Sequence, residues 1–117
     1  MSAESSSQSA ILIVDDEEAV RNALKRFLGG KGYEVLTAAT AAEAVQALQR
    51  YKVAGLLLDI RLPDGNGVDL VPKLLELEPN AAIVMLTAVN DAASATLCLQ
   101  RGAMEYLTKP VDLSDLG

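Results

Sequence analysis

The chain contains no histidine. That absence excludes His-based general base catalysis, His metal ligands and a phosphohistidine on this chain. Cysteine is nearly absent too: Cys98 is alone, so no internal disulfide can form, and its apolar helical setting reads as a small buried hydrophobe in a reducing compartment. No apolar run approaches the roughly 20 residues of a membrane span, and Met1–Ser9 lacks the basic start and apolar middle of a signal peptide. A cytoplasmic chain with no membrane partner is expected. Positive charge is scarce, with 10 Lys and Arg scattered against 16 Asp and Glu, net −6. This argues against direct nucleic-acid binding, which rests on neutralising phosphates.

What is present fits one domain, since 117 residues with 50% apolar content can bury a core. Residues 1–9 (MSAESSSQS) are polar and serine-rich, and are expected to be a disordered leader, with the folded domain over 10–117. From Ala10 onward, apolar runs of strand length alternate with segments of helical period, the pattern of an α/β fold with a mostly parallel sheet. Ala10–Val14, Ala54–Leu58 and Ala81–Leu86 are continuously apolar, as central strands covered on both faces should be. Tyr33–Thr37 and Met104–Thr108 carry Glu34 and Glu105, which places them at the sheet edges.

The intervening segments read as helices. Val20, Ala23, Leu24, Phe27 and Leu28 recur at helical spacing, and Gly29, Gly30 and Gly32 are expected to end that helix. Thr40–Glu43 is a capping box ahead of a stripe of Ala44, Val45 and Leu48. A third helix is expected from about Val68 to Leu77, with Pro72 tolerated in or near its first turn, and a fourth from about Asp91 to Arg101, ending at Gly102. Asp112–Leu116 looks like the opening of a fifth helix that the sequence does not complete. Apolar area left uncovered beside the edge strand predicts either self-association as a homodimer or a longer natural chain.

In parallel α/β sheets, ligands bind beyond the carboxyl ends of the strands. There the chain places Asp15 and Asp16 after the first run, Asp59 after the third, Thr87 after the fourth and Lys109-Pro110 after the fifth. Two carboxylates about 6 Å apart repel by roughly 3 kcal/mol at an effective dielectric near 20, so three in one pocket need compensation. A hard dication and Lys109 supply it. Magnesium prefers oxygen ligands with several retained waters, which suits Asp16 and Asp59 with Asp15 assisting. Asp59 is then a candidate nucleophile for an acyl phosphate, with Thr87 and Lys109 positioned for phosphoryl oxygens. Each residue taken singly has a structural alternative. Asp15–Glu18 can be a helix cap and acidic first turn, the reading preferred for Glu17 and Glu18. Asp59 can be a turn residue, Thr87 and Lys109 structural or solvated, Pro63–Gly67 chiefly a turn, and Tyr106 an ordinary core or edge aromatic.

Taken together, Asp15-Asp16, Leu58-Asp59-Ile60, Leu62-Pro63-Asp64-Gly65-Asn66-Gly67, Leu86-Thr87-Ala88 and Tyr106-Leu107-Thr108-Lys109-Pro110 resemble the receiver domains of two-component response regulators, over about Ala10–Leu116. The resemblance implies a flavodoxin-like, five-stranded parallel sheet in the order 2-1-3-4-5, flanked by helices. It implies that Asp59 accepts a phosphoryl group from a sensor histidine kinase or phosphotransfer protein. Mg2+ (or Mn2+) would be held by Asp16, Asp59 and the backbone carbonyl of Arg61, with Asp15 in support. Thr87, Ala88 and Lys109 would bind the phosphoryl group, Thr87 and Tyr106 would relay the change, and the bond before Pro110 would be cis. Such a module is a phosphoacceptor rather than an enzyme, apart from metal-dependent self-phosphorylation and autodephosphorylation, and an effector domain is expected after residue 117.

Departures from the family pattern are Ile60, where methionine is common, and Arg61, a long cation at the pocket mouth. Arg61 and Val89 are expected to tune phosphoryl lifetime through water access. Three other readings compete: a pseudo-receiver that only binds partners, a haloacid-dehalogenase-type phosphatase, and a flavodoxin. The phosphatase class carries a second Asp where this chain has Arg61, and the acidic loop after Val14 is no flavin phosphate cradle.

Overall fold

The computed structural model describes residues 10–88 and 90–111. Five of its strands, β1 Ala10–Val14, β2 Glu34–Ala38, β3 Val53–Asp59, β4 Ala82–Thr87 and β5 Glu105–Thr108, pair in parallel in the order β2-β1-β3-β4-β5. The two strands whose glutamates marked them as edges, β2 and β5, are the edges, and Glu34 and Glu105 are exposed there. Central β1, β3 and β4 bury Leu12, Ile13, Leu56, Leu58, Ile83 and Leu86 almost completely. Each such side chain contributes roughly 1.5–3 kcal/mol of transfer free energy.

Four helices are described: α1 Glu18–Gly30, α2 Ala41–Arg50, α3 Gly67–Leu77 and α4 Ala92–Gln100. The stripes of α2, α3 and α4, including Ala44, Leu48, Val71, Leu74, Ala95 and Cys98, share one core with Leu12, Leu56 and Met85. On the other face Leu24 and Leu28 of α1 pack with Ile13, Leu57 and Leu86. Cys98 is fully buried, and burial pushes its thiol pKa up. Gly29 and Gly30 are the last residues of α1 rather than its stop; the reversal falls on Gly32, whose φ of +94° is costly for residues with a Cβ. The expected leader and the opening turn at 112–116 lie outside the described residues. Among the described residues, no helix is long and apolar enough to cross a membrane.

Two local expectations are corrected. Pro72 lies well inside α3, beyond its first turn. Proline there removes the amide that would bond the Val68 carbonyl, and Arg101 Nη1 donates to that carbonyl at 3.2 Å instead. The Pro63–Gly67 stretch is more than a turn. Gly65–Asn66 pairs antiparallel with Arg61–Leu62 as a small hairpin, and the Asn66 side chain caps α3 by accepting from the Val68 amide at 2.7 Å.

The hairpin is also tied to α2. Asp64 accepts from the Ala41 and Ala42 amides at 2.7 and 3.0 Å, bonds that hold its carboxyl below the usual range. Thr40 accepts from the Glu43 amide at 3.1 Å and Glu43 from the Ala39 amide at 2.8 Å. Together these satisfy the orphan donors of the α2 start, and they anchor the segment that follows Asp59.

Candidate functional site

Parallel register sets the site. Val14 pairs with Leu58, Asp59 with Leu86, and Thr87 with Thr108, so residues leaving β1, β3, β4 and β5 emerge along one edge of the sheet. Asp15 is completely buried; its Oδ1 accepts from the Glu17 amide at 2.8 Å, and its carbonyl accepts from Arg21 Nη1 at 2.8 Å. Asp59 is 7% exposed, and its Oδ1 accepts from the Arg61 amide at 3.2 Å. Asp16 is exposed. One carboxylate oxygen from each of Asp15, Asp16 and Asp59 lies within 4.8 Å of the others.

Lys109 is the cation of this cluster. Its amide is fixed by the Thr87 carbonyl at 2.7 Å, and the peptide to Pro110 is cis. Its Nζ donates to Asp59 Oδ2 at 3.2 Å and to Glu17 Oε1 at 3.0 Å. Asp15 Oδ2 lies closest, 2.7 Å from Nζ, yet this oxygen has no aligned donor. We read that contact as charge attraction without a hydrogen bond, which leaves a fully buried oxygen with unused acceptor capacity. Such an orphan, facing two other carboxylates, is the donor set a hard dication takes. Octahedral magnesium spans about 4 Å between opposite ligands, so the three carboxylates fit it with small side-chain adjustment.

Electrostatics follow from this crowding. Burial, then the charge of Asp15, pushes the Asp59 carboxyl pKa up, against the pull of Lys109 and the Arg61 amide. Burial alone would lower the Lys109 pKa, but the close Asp15 carboxylate, the hydrogen bond to Glu17 and the charge of Asp59 outweigh it and hold the ammonium above the ordinary lysine range. Lys109 is therefore charged at neutral pH. Removing it strands Asp15 and Asp59 without their protein cation, a change that destabilises by several kcal/mol for fully buried pairs and less where one partner is partly solvated. Lys109→Ala is expected to cost about 2 kcal/mol in urea unfolding with a chelator present, and magnesium should restore part of it. Equal stability to the wild type without metal would contradict this account.

A cavity of about 460 Å3 opens over the cluster, lined by Asp16, Glu17, Asp59, Arg61, Ala88 and Lys109 among others. A larger groove of about 530 Å3 beside α1 is lined mainly by apolar residues such as Val20, Leu24 and Val111, together with Glu17 and Lys109, and takes in none of the three aspartates. Thr87 is buried, and its hydroxyl donates toward the Ala88 and Asp91 carbonyls at 3.3 and 3.4 Å rather than toward Asp59. Ala88 is exposed beside it, Tyr106 is half-buried against the larger core, and Val89 lies outside the described residues. Arg61 extends its mostly exposed side chain to Asp91, Nε to Oδ2 at 3.2 Å.

Two members of the site were not singled out by the sequence. The sequence of Glu17 is that of a helical first turn only, but it shares Lys109 with the aspartates. Asp91 has the sequence of a helix start, but it holds Arg61. Adjacency to Asp15-Asp16 was a signal for Glu17; for Asp91 there was none.

Comparison with known proteins agrees with the geometry. The sequence profile of the response regulator receiver domain matches residues 11–117. Over 114 residues the chain is 36% identical to the photosynthetic apparatus regulatory protein RegA of Rhodobacter capsulatus, covering 97% of this chain and 62% of RegA. It spans less than two thirds of RegA, and smaller shares of other curated regulators that it matches. Among solved structures, a CheY-like response regulator receiver domain protein from Methanospirillum hungatei superposes with a TM-score of 0.87 at 37% identity, covering 94% of this chain and 88% of that one. A response regulator from Burkholderia pseudomallei, solved with a phosphorylated aspartic acid, calcium ion and citrate, superposes with a TM-score of 0.86 at 30% identity, covering 93% and 64%.

Proposed function

The chain belongs to the receiver domains of two-component response regulators, and on that premise we propose that it is a phosphorylation-activated switch whose acceptor is Asp59. The observation that carries the reading is the convergence of Asp15, Asp16, Asp59 and Lys109 from three strand ends, with Asp16, Asp59 and Lys109 lining one cavity and Asp15 buried beneath them. Asp59 is the carboxylate in that group with the character of a nucleophile. It is mostly buried and ends a central strand, so it is rigidly placed, and Lys109 sits on one of its oxygens.

In the transfer, an Asp59 carboxylate oxygen forms a bond to phosphorus while the phosphorus–nitrogen bond of a donor phosphohistidine breaks, and the imidazole leaves with its electron pair and takes up a proton. The donor is a histidine kinase or phosphotransfer protein, since this chain has no histidine of its own. Asp16, Asp59 and the Arg61 carbonyl would hold Mg2+ or Mn2+, with Asp15 in support. Bound there, the dication neutralises charge on the transferring group. Lys109 pairs with one phosphoryl oxygen; the Thr87 hydroxyl and the Ala88 amide take another. Thr87 must first leave the backbone carbonyls it now faces. That rotation, passed to Tyr106, biases a bistable surface around α4 and β5. The phosphorylated aspartic acid and calcium ion of the Burkholderia structure support this assignment by similarity.

The test is to incubate the protein with a small phosphodonor such as acetyl phosphate, with magnesium or with excess chelator. A mass gain of one phosphoryl group that requires the metal and is removed by hydroxylamine, as an acyl phosphate should be, is expected. No modification with several donors, and no response to beryllofluoride, would favour a pseudo-receiver that only binds partners.

A further inference from the structure

Asp91 occupies the N-cap position of α4, where an aspartate side chain ordinarily accepts from the second or third amide of its own helix. Here it caps nothing. Its carboxylate, with a side chain only 11% exposed, is turned instead to Arg61 Nε, 3.2 Å away. Arg61 stands two residues after Asp59 and gives its own amide to Asp59 Oδ1. The Asp91 main chain holds the other side of the pocket: its amide donates to the Ala88 carbonyl at 3.0 Å, and its carbonyl faces the Thr87 hydroxyl at 3.4 Å. One residue therefore ties Arg61 to the Thr87 turn across the cavity mouth.

From this arrangement we infer that Asp91 is a positioning residue, a latch that holds the resting state and changes partner when Asp59 is phosphorylated. The inference rests on Asp59 being the acceptor. A capping bond and a partly exposed ion pair are each worth only a few-fold in an equilibrium constant, so the two partners of the Asp91 carboxylate are closely matched and a modest perturbation decides between them. A phosphoryl group brings a charge of about −1.5 to −2 into the cavity that Arg61 lines. It competes with Asp91 for the guanidinium. The released carboxylate then turns to the uncapped amides of α4, and the main-chain contacts of Asp91 with Ala88 and Thr87 shift with it. Arg61 and the N-terminus of α4 thereby become coupled to the state of Asp59.

Beryllofluoride, a mimic of the phosphoryl group on a carboxylate, provides the test when titrated with magnesium into the wild type, Asp91→Asn, Arg61→Gln and the double variant. Asparagine caps helices as well as aspartate does and removes the charge that holds Arg61, so Asp91→Asn is expected to bind about fivefold more tightly. In the Arg61→Gln background that gain should vanish. Amide exchange at Ala93 and Ser94 should slow when the wild type binds beryllofluoride, and in Asp91→Asn it should already be slow in the free protein. Equal effects of Asp91→Asn in both backgrounds, or exchange at Ala93 and Ser94 indifferent to Asp91, would overturn the latch while leaving Asp59 as acceptor. A wild type that binds no beryllofluoride overturns the proposed function, and the latch with it.

Discussion

Asp59→Asn is expected to accept no phosphoryl group under any condition that modifies the wild type, and in metal-free buffer to unfold at a higher temperature. The first effect follows because the amide oxygen is a poor nucleophile and no other carboxylate here has the same placement. Asp15 is buried with one oxygen on the Glu17 amide and the other against Lys109, and Asp16 is exposed at the rim. The second effect follows from the raised Asp59 pKa, which arises from burial and from the neighbouring Asp15. A carboxyl whose folded-state pKa lies above its unfolded value favours folding when protonated. That contribution is full below about pH 4, the ordinary aspartate range, and is lost as pH rises through the folded pKa. At neutral pH the wild type therefore carries an ionised group that the fold disfavours, and asparagine does not.

Lys109 keeps Asp15 and Glu17 as partners in the variant, so no cation is stranded. A gain of about 1 kcal/mol is expected, about 4 °C for a domain of this size. The gap should close in melts carried out at about pH 4 and below, and magnesium should narrow it by stabilising the wild type more. A gap that is absent at pH 7, or that widens on acidification, would falsify the assignment of this strain to Asp59.

The second large effect is structural and reaches the same site. Gly67→Ala is expected to destabilise the protein by about 3 kcal/mol, about 12 °C in melting temperature. A Cβ on Gly67 would stand 2.9 Å from Ile60 Cα, 3.1 Å from the Asp59 carbonyl oxygen and 2.9 Å from Met85 Cε. Met85 is flexible, but the other two are backbone of the segment that carries the acceptor. The Gly67 amide also donates to the Ile60 carbonyl at 2.6 Å, so the start of α3 cannot back away without losing that bond. Relief must come from moving Asp59, Ile60 and Arg61, which should weaken magnesium binding as well. Gly29→Ala serves as the control: among the described residues nothing beyond its chain neighbours and its own helix backbone lies within 4 Å of its Cβ position, and within a helix alanine is preferred to glycine. Matched urea and thermal unfolding would decide it, since a Gly67→Ala loss below about 1 kcal/mol contradicts the packing argument.

Most of the sheet is legible in the sequence. Continuous apolar runs mark strands covered on both faces, and a glutamate within a run marks an edge, because burying an unpaired charge is too costly for an interior strand. β1 falls on its expected residues, and the other four differ by one residue at one or both ends. Helix ends were less legible. Gly29 and Gly30 have the composition of a stop but are helical, and Pro72 sits where an isolated helix would break. In both cases the deciding atoms are remote or backbone: the turn closes at Gly32, and Arg101 supplies the hydrogen bond that Pro72 cannot.

The same division runs through the site. Residue type and position after each strand were enough to select Asp15, Asp16, Asp59, Thr87 and Lys109, because parallel strands deliver their carboxyl ends to one edge whatever the helices do. Side-chain partners were not readable in this way. Lys109 and Glu17 are 92 residues apart, and nothing local to either predicts that they share a hydrogen bond. Asp91 has the sequence of an ordinary helix cap and every local reason to be one. Only packing brings Arg61 within reach, and at 3.2 Å its charge outweighs the helix amides nearby. Which residues face the pocket follows from the period and order of the strands, properties of the chain itself. Which charge each of them meets there depends on distances that exist only once the sheet has closed.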